Sequence, residues 1–514
     1  MLISRRRRSR ETPLNGPASL SWFFGVSKVI NEAGGDSSLM FEKWAGEYGS
    51  VYRIPTLLGG TQLVLCDPKA IAHYYSKETY GYVLTGFSRM LVETMIGRGL
   101  MWAEGDSHKR QRKTLTPAFS NSTIRHLTPI FIDSAYKVKN AWDGFLEPNG
   151  EAVIDVQECL DSIGIAGFSH DFKTLEGHES AIANMFDALG RHKPSFADIM
   201  HILLVAVFPV LWRIPTTLTR LFGQLSSSVG EISESILAKT RGEKVDEDRS
   251  ALGLLMKASD GNSELRITDD ELLAQVKVLI AAVSLTVSQF PQFRKHLDIY
   301  IMPQWTLLEL ARSPAVQEKL REEQLSHFGS GSDPTHDELN NGLPYLDAVV
   351  HETLRLHAPL WETIRISAAD DIIPLSEPVK AANGQMVDRI SVIAGQEVLI
   401  PIRMINRSYD IWGPDAKEFK PERWLNEDGF PAKVKLVSGH RHLLTFSDGA
   451  RTCLGKTFAL AEFKAILSVL IRHFAFEFRD GPESKFEMGR GILPRPKVAG
   501  EEGCCLPLRV RRVA

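Results

Sequence analysis

Ten residues near the C-terminus constrain this chain more than any other stretch: Phe446-Ser-Asp-Gly-Ala-Arg-Thr-Cys-Leu-Gly455. Gly449 can take a turn conformation denied to other residues. Arg451 supplies a fixed cation two residues before a sulfur, suited to an anionic group. Cys453 supplies a soft ligand for a metal. Gly455 lets backbone approach a flat group closely. Leu454 to Phe474 then reads as one strongly apolar helix. Its first N–H groups point back at the sulfur and stabilise a thiolate. A lone buried cysteine in a Gly-containing loop is the plain alternative. At average residue frequencies, Phe, Gly, Arg, Cys and Gly at these five positions arise by chance in on the order of one such chain in 10,000.

The 514 residues suffice for one large domain or three ordinary ones. With no repeat and no low-complexity linker, we expect one domain over 21–514, preceded by a basic tail over 1–20. A 43% hydrophobic, 24% charged composition is that of a folded globular protein. The net charge of −3 argues against nucleic-acid binding, which needs a basic excess. The five cysteines are scattered and lack zinc-site spacing. A chain this large needs no disulfide staples, so a reducing compartment is expected, with Cys504 and Cys505 as inert surface thiols.

No segment reaches the roughly 18–20 apolar residues that cross a bilayer. The arginine cluster of Met1 to Arg10 is not a secretory signal. It reads as a solvated tail, or as the basic flank of a membrane anchor whose apolar part is missing. Ile199 to Trp212 is apolar but too short to span, and carries Pro209. It reads as a buried helix, a surface that dips into lipid, or the mouth of an apolar channel.

Along the chain, residues 11–35 form a Gly/Pro/Ser-rich lead-in. Val51–Ile54 and Gln62–Cys66 look like two strands of a small sheet. From about 88 to 360 the stripes are helical, broken by charged or polar stretches at Gly242–Asp260 and Gly329–Asn341. Glu362–Ile366 and Val398–Ile402 are strand-like, and a long irregular stretch runs to about 450. The expected class is mainly α with a small β-rich part.

The string FSDGARTCLG resembles the haem-binding loop of the cytochrome P450 family, FxxGxRxCxG, at every position. Glu352-Thr-Leu-Arg355 is similar to the family's ExxR motif, and Pro421-Glu-Arg-Trp424 to its PERF-like motif, with Trp where Phe is common. The resemblance runs from about Trp22 to the C-terminus and is of the fungal, mushroom type. RHLLTFSDGARTCLGKTFALAEFKA and ILPRPKVAGEEG are its most telling strings. It implies the P450 fold, haem b (iron protoporphyrin IX) on Cys453, and a loop shaped by Phe446, Gly449, Arg451 and Gly455. It implies a buried Glu352–Arg355–Arg423 cluster bracing that loop, tolerable only if every charge is paired. It also implies propionate contacts from His108 and Arg112, which share a helix face in an HxxxR spacing, and from Arg365.

The activity implied is that of a haem-iron monooxygenase, an oxidoreductase using O2 and electrons from NADPH. No flavin or nicotinamide motif is present, so an NADPH-cytochrome P450 reductase must deliver the electrons. Lys109, Arg110, Lys113, Arg441 and Lys456 are candidates for docking it. The substrate would be small and apolar, lined by Gly86–Met101, residues 195–215, Pro359–Thr363 and Ile492–Leu493. Secondary-metabolite chemistry on a terpenoid or polyketide is expected. The expected location is the cytoplasmic face of the endoplasmic reticulum membrane, although the chain shows no transmembrane anchor.

One region departs from the family. Its central helix carries (A/G)Gx(D/E)T(T/S), whose acid and threonine relay protons to bound oxygen. Leu272 to Ala282 leads in correctly and Trp305 to Arg312 resumes correctly. Between them, Val283 to Gln304 is too long for the family's register. Thr286 falls on the catalytic threonine, Leu285 on the acid and Val283 on the usual Gly; Pro291 would kink the helix a turn later. Three readings stand: divergence that uses water as the acid; a haem-thiolate isomerase or dehydratase, or an inactive haem-binding protein, with no oxygen activation; or a mis-spliced translation, since Val283-Ser284 can be encoded by a splice-donor-like string. We expect the transcript across codons 275–310 to lack part of this stretch. A message encoding it unchanged eliminates the mis-splicing reading.

Overall fold

A computed structural model of the chain describes residues 11–32, 36–146, 148, 150–156, 195–242, 267–285, 301–329, 331–489, 495–501 and 505–513. The core is built round the Lys456–His473 helix, buried from Ala461 to Arg472. A helix apolar on nearly all sides must be enclosed by others. Asn121–Phe145 packs along it, with a stripe of Ile124, Leu127, Phe131, Ala135, Val138 and Trp142 at helical spacing. Its first turn is capped by Ser120, whose hydroxyl accepts the Thr123 N–H. Ile301–Arg312, Pro314–Phe328 and Pro344–Leu356 close the rest.

The β part sits at the edge. Its largest sheet has five strands in the order Val51–Pro55, Thr61–Leu65, Glu397–Ile400, Thr363–Ser367, Tyr82–Val83. Only Thr61–Leu65 with Glu397–Ile400 is parallel, Val64 opposite Leu399. Arg365 stands opposite Val398 in the antiparallel pair that carries it. Asp371–Lys380 and Met386–Val392 form a hairpin. Pro507–Arg512 pairs on one side with Phe474–Phe478 and on the other with Glu151–Asp155. Phe486–Gly489 pairs with Arg495–Val498.

The mainly helical class with small sheets is observed. The four expected strands are present within one or two residues. The helical reading of 88–360 missed Glu151–Asp155, whose pairing partner lies at the far end of the chain and leaves no local signal. The hairpin 371–392 was not read as strands. The stretch read as irregular holds short helices at Ile402–Arg407, Tyr409–Trp412 and Pro421–Leu425.

The central-helix text falls into two helices, Asp269–Leu285 and Ile301–Arg312. Thr286 and Pro291 lie outside the described residues, as do Ile492 and Leu493. The 199–212 stretch forms the helix Phe196–Val207 and the short turn Pro209–Arg213. A capping box of Ser195 and Asp198 starts the helix, and it ends before Pro209. His201 and Val205 face inward, while Leu204, Phe208, Val210 and Ile214 are exposed. The buried-helix reading thus gives way to a surface element with apolar residues outward. Among the described residues no helix is long and apolar enough to cross a membrane.

Asp67 joins helical and β parts. Its carboxylate caps the Pro68–Ser76 helix by accepting the Ala70 N–H at 3.0 Å, and accepts the Ser376 N–H at 2.9 Å and hydroxyl at 3.0 Å. Asp67→Ala removes a helix cap and the acceptor of two donors on exposed Ser376, which water can replace, so we expect a loss of about 1–2 kcal/mol in urea unfolding with an unchanged m-value.

Candidate functional site

The cysteine loop is shaped by backbone bonds and by one close approach. The Cys453 N–H donates to the Phe446 carbonyl at 2.8 Å, and the Ser447 N–H to that of Leu444 at 2.8 Å. Ser447 and Gly449 both take positive φ, 59° and 61°. A Cβ on Gly449 would stand 2.2 Å from the Tyr75 carbonyl oxygen. Glycine is needed there both for its φ and for the passage of the Pro68–Ser76 helix end.

The Cys453 sulfur is open on one side. Protein packed around the rest pushes its pKa up, opposed by the Gly455 N–H, which donates to the sulfur, and by Arg112 and Lys456. The helix start after the loop thus favours the thiolate, as its position implies. A Cβ on Gly455 would meet only Phe119, at 3.9 Å. Contacts within the chain therefore do not demand glycine at that position.

Glu352 sits on the fully buried face of the Pro344–Leu356 helix with neither it nor Arg355 exposed. It accepts from Arg355 Nε at 2.8 Å and Nη2 at 2.9 Å, from Arg423 Nε at 2.9 Å, from the Lys420 N–H at 2.9 Å and from Trp424 Nε1 at 2.9 Å. Burial alone would raise its pKa; the charges of Arg355 and Arg423 and these bonds hold it below the ordinary value. The family's usual Phe could not make the Trp424 bond, so the departure in that motif adds a donor to the cluster.

From the cluster, bonds run to the loop. Arg355 Nη1 donates to the Asn406 carbonyl at 3.0 Å. The Asn406 side chain donates to Thr445 Oγ1 at 2.8 Å and accepts the Leu444 N–H at 3.1 Å. Thr445 Oγ1 donates back to the Leu354 carbonyl at 2.8 Å. The ExxR helix is thereby joined to the residues that precede Phe446.

His108, Arg112 and Arg451 come together beside Cys453. Burial drives the His108 pKa down to about 4, with Arg451 and Arg112 pushing the same way. It is a neutral imidazole near neutral pH. Burial also lowers the Arg112 pKa; Cys453 opposes this and Arg451 adds to it. Arg451 Nη2 meets Glu104 at 2.7 Å and the Ala103 carbonyl at 2.6 Å. Arg365 is brought to the same place, its Nε 3.2 Å from Glu78 Oε1. That oxygen is 3.9 Å from Arg451 Nε.

Glu78, Glu104 and Asn406 were missed from sequence. Glu78 and Asn406 lie in segments with no motif; Glu104 stands four residues before His108 of the HxxxR segment, whose spacing gives the acid no role. Two basic docking candidates are engaged within the chain: Arg110 with Glu271, and Arg441 with Asp347 and Glu427. An arginine held by its own carboxylates offers little net charge to a partner. Lys109 and Lys113 are exposed, and Lys456 Nζ lies 3.3 Å from His440 Nδ1. Of the expected lining, the Gly86–Ile96 helix buries only Ile96 and packs against the Thr217–Gly242 and Asp269–Leu285 helices.

The family model for cytochrome P450 matches residues 15–499. Cytochrome P450 monooxygenase claQ of Ampulloclitocybe clavipes is 52% identical over 99% of this chain and 94% of its own length. Monooxygenase claO of that fungus is 51% identical over the same shares. Cytochrome P450 monooxygenase 205 of Postia placenta is 34% identical over 96% of this chain and 92% of its own length.

Removing one member of a buried charge cluster strands the others. Glu352→Ala or Arg355→Ala should cost about 3–5 kcal/mol and abolish haem incorporation. Normal haem content in either purified variant refutes this bracing role.

Proposed function

The chain belongs to the cytochrome P450 family and is a P450 monooxygenase, and we propose that it binds haem b through Cys453, draws electrons from NADPH through a separate reductase, and oxidises a small apolar metabolite. The observation that carries this reading is a cysteine sulfur that accepts the Gly455 N–H and has Arg112 at hand, in a loop bonded to the buried Glu352 cluster. The donor set fits the group: a soft thiolate for iron, and Arg112, Arg365, Arg451 and neutral His108 as donors for two propionates. Gly455, where chain contacts tolerate a Cβ, fits backbone laid against a flat ring.

Haem, when bound, would supply oxygen activation, and the Cys453 thiolate would lend electron density to its iron. The chain's own residues set the conditions. The Gly455 N–H tempers the sulfur's charge, and Phe446 carries the loop across it. Arg112, Arg365 and Arg451 hold the propionate edge. Thr286 is the hydroxyl assigned to proton delivery. The helices Gly86–Ile96 and Phe196–Val207 and the stretch Pro359–Thr363 line an apolar pocket and exclude water from it.

The exposed Lys109 and Lys113, and Lys456 beside Cys453, are the charges to which an acidic reductase face would dock. The exposed Leu204, Phe208, Val210 and Ile214 would rest on the cytoplasmic face of the endoplasmic reticulum membrane. The substrate in this reading is a secondary metabolite, a terpenoid or polyketide; the relatives from two fungi are P450 monooxygenases by name.

The reduced protein under carbon monoxide should show the absorption band of thiolate-bound haem, and Cys453→Ser should lose it. With a fungal reductase, NADPH and isotopically labelled O2, the product should gain one labelled oxygen atom. Product carrying oxygen from water alone, or none, overturns the monooxygenase mechanism proposed for this site.

A further inference from the structure

Glu78 is a buried acid with no place in the reading so far. It is 1% exposed on its side chain. One oxygen lies 3.2 Å from Arg365 Nε and 3.9 Å from Arg451 Nε; the other has no hydrogen-bond partner, and neither does either Nε by strict geometry. The three groups are thus held together by charge more than by directed bonds. Burying a carboxyl this deeply is costly unless it is compensated.

The backbone next to it is strained. Thr79 is 2% exposed and takes φ 75°, a conformation that β-branched residues rarely adopt. Its N–H donates to the Tyr82 carbonyl at 2.9 Å and its carbonyl accepts the Gly105 N–H at 3.0 Å. Gly105 begins the helix that carries His108 and Arg112. Just before it, Glu104 accepts the Leu84 N–H at 2.8 Å with one oxygen and meets Arg451 with the other. Strain of this kind persists only where surrounding structure over-determines it, and it gathers at functional sites. At this corner a strand, the cysteine loop and a helix each bring one arginine.

We propose that Glu78 is a positioning residue for the haem propionates: its carboxylate lies between Arg365 and Arg451 and holds two like charges side by side where a doubly anionic edge needs both. Burial pushes the Glu78 pKa up to about 7 although Arg365 and Arg451 pull it down. The inference rests on the haem reading above.

The test is the rate at which the full-length haem-loaded protein yields haem to an excess of haem-free globin. Wild type, Glu78→Ala, Glu78→Gln, Arg365→Ala and the double variant Glu78→Ala/Arg365→Ala are compared. Glu78→Ala should lose haem on the order of tenfold faster with its carbon monoxide band unmoved, and Glu78→Gln, which keeps an acceptor oxygen, about threefold faster. Because Glu78 acts through Arg365, the double variant should fall short of the product of the single effects. Multiplicative effects would mean that Glu78 does not act through Arg365, and that result overturns the proposal. So does wild-type haem loss in both Glu78 variants. If Glu78→Ala does not fold, Glu78→Gln, nearly the same shape, decides alone. A wild type that takes up no haem sinks the haem reading itself; a wild type with the thiolate band and indifferent Glu78 variants sinks only this inference.

Discussion

Glu352 places a negative charge where no water reaches, and every part of the proximal structure answers to it. Two guanidinium groups, one indole and one backbone N–H converge on its two oxygens. These donors come from the ExxR helix and from the segment round Pro421–Leu425, so the carboxylate fixes where that segment lies. Arg355 reaches on to the Asn406, Ala416 and Glu418 carbonyls. Two separate stretches are thereby set against one helix. A buried ion pair of this kind is a weak source of net stability, because desolvation opposes attraction. What it does in this structure is tie the 406–424 stretch to one face of the ExxR helix.

That constraint passes outward to the cysteine. Asn406 hands it to Leu444 and Thr445, and the loop from there to Cys453 is held by its own backbone bonds. The sulfur is finally placed by a helix start and by the contact of Gly449 with the Tyr75 backbone. The electrostatics then have two layers. Beneath the sulfur side lies a saturated cluster; beside it lies a cluster of Arg112, Arg365 and Arg451 faced by Glu78 and Glu104. The first has every donor and acceptor assigned. The second keeps unpaired buried atoms, which suits a region meant to receive an anion.

Much of this was legible without coordinates. The Glu352–Arg355 spacing marks one helix face, and Arg423 was assigned to the same cluster by resemblance. The structure brings the three side chains together. The strands of the main sheet were read from alternation within one or two residues. Reading failed where the signal is not local. Glu151–Asp155 is short and finds its partner near the C-terminus. The 199–212 stretch is apolar enough to read as core, yet its Leu204, Phe208 and Val210 face outward. Arg110 and Arg441 look free in the sequence and are tied up by Glu271, Asp347 and Glu427.

By itself, the sequence determined the family, the cysteine proposed as the iron ligand, the glycine that its loop requires and the charges that brace it. These are properties of contiguous strings, where spacing alone sets turn and helix geometry. Only the tertiary structure decided what the arginines face. Glu78 and Asn406 stand in segments that nothing marks, and Glu104, although close to the HxxxR pair, has no spacing that gives the acid a role. A buried charge is stabilised by whatever the fold brings within a few ångströms of it, and Coulomb attraction takes no account of distance along the chain.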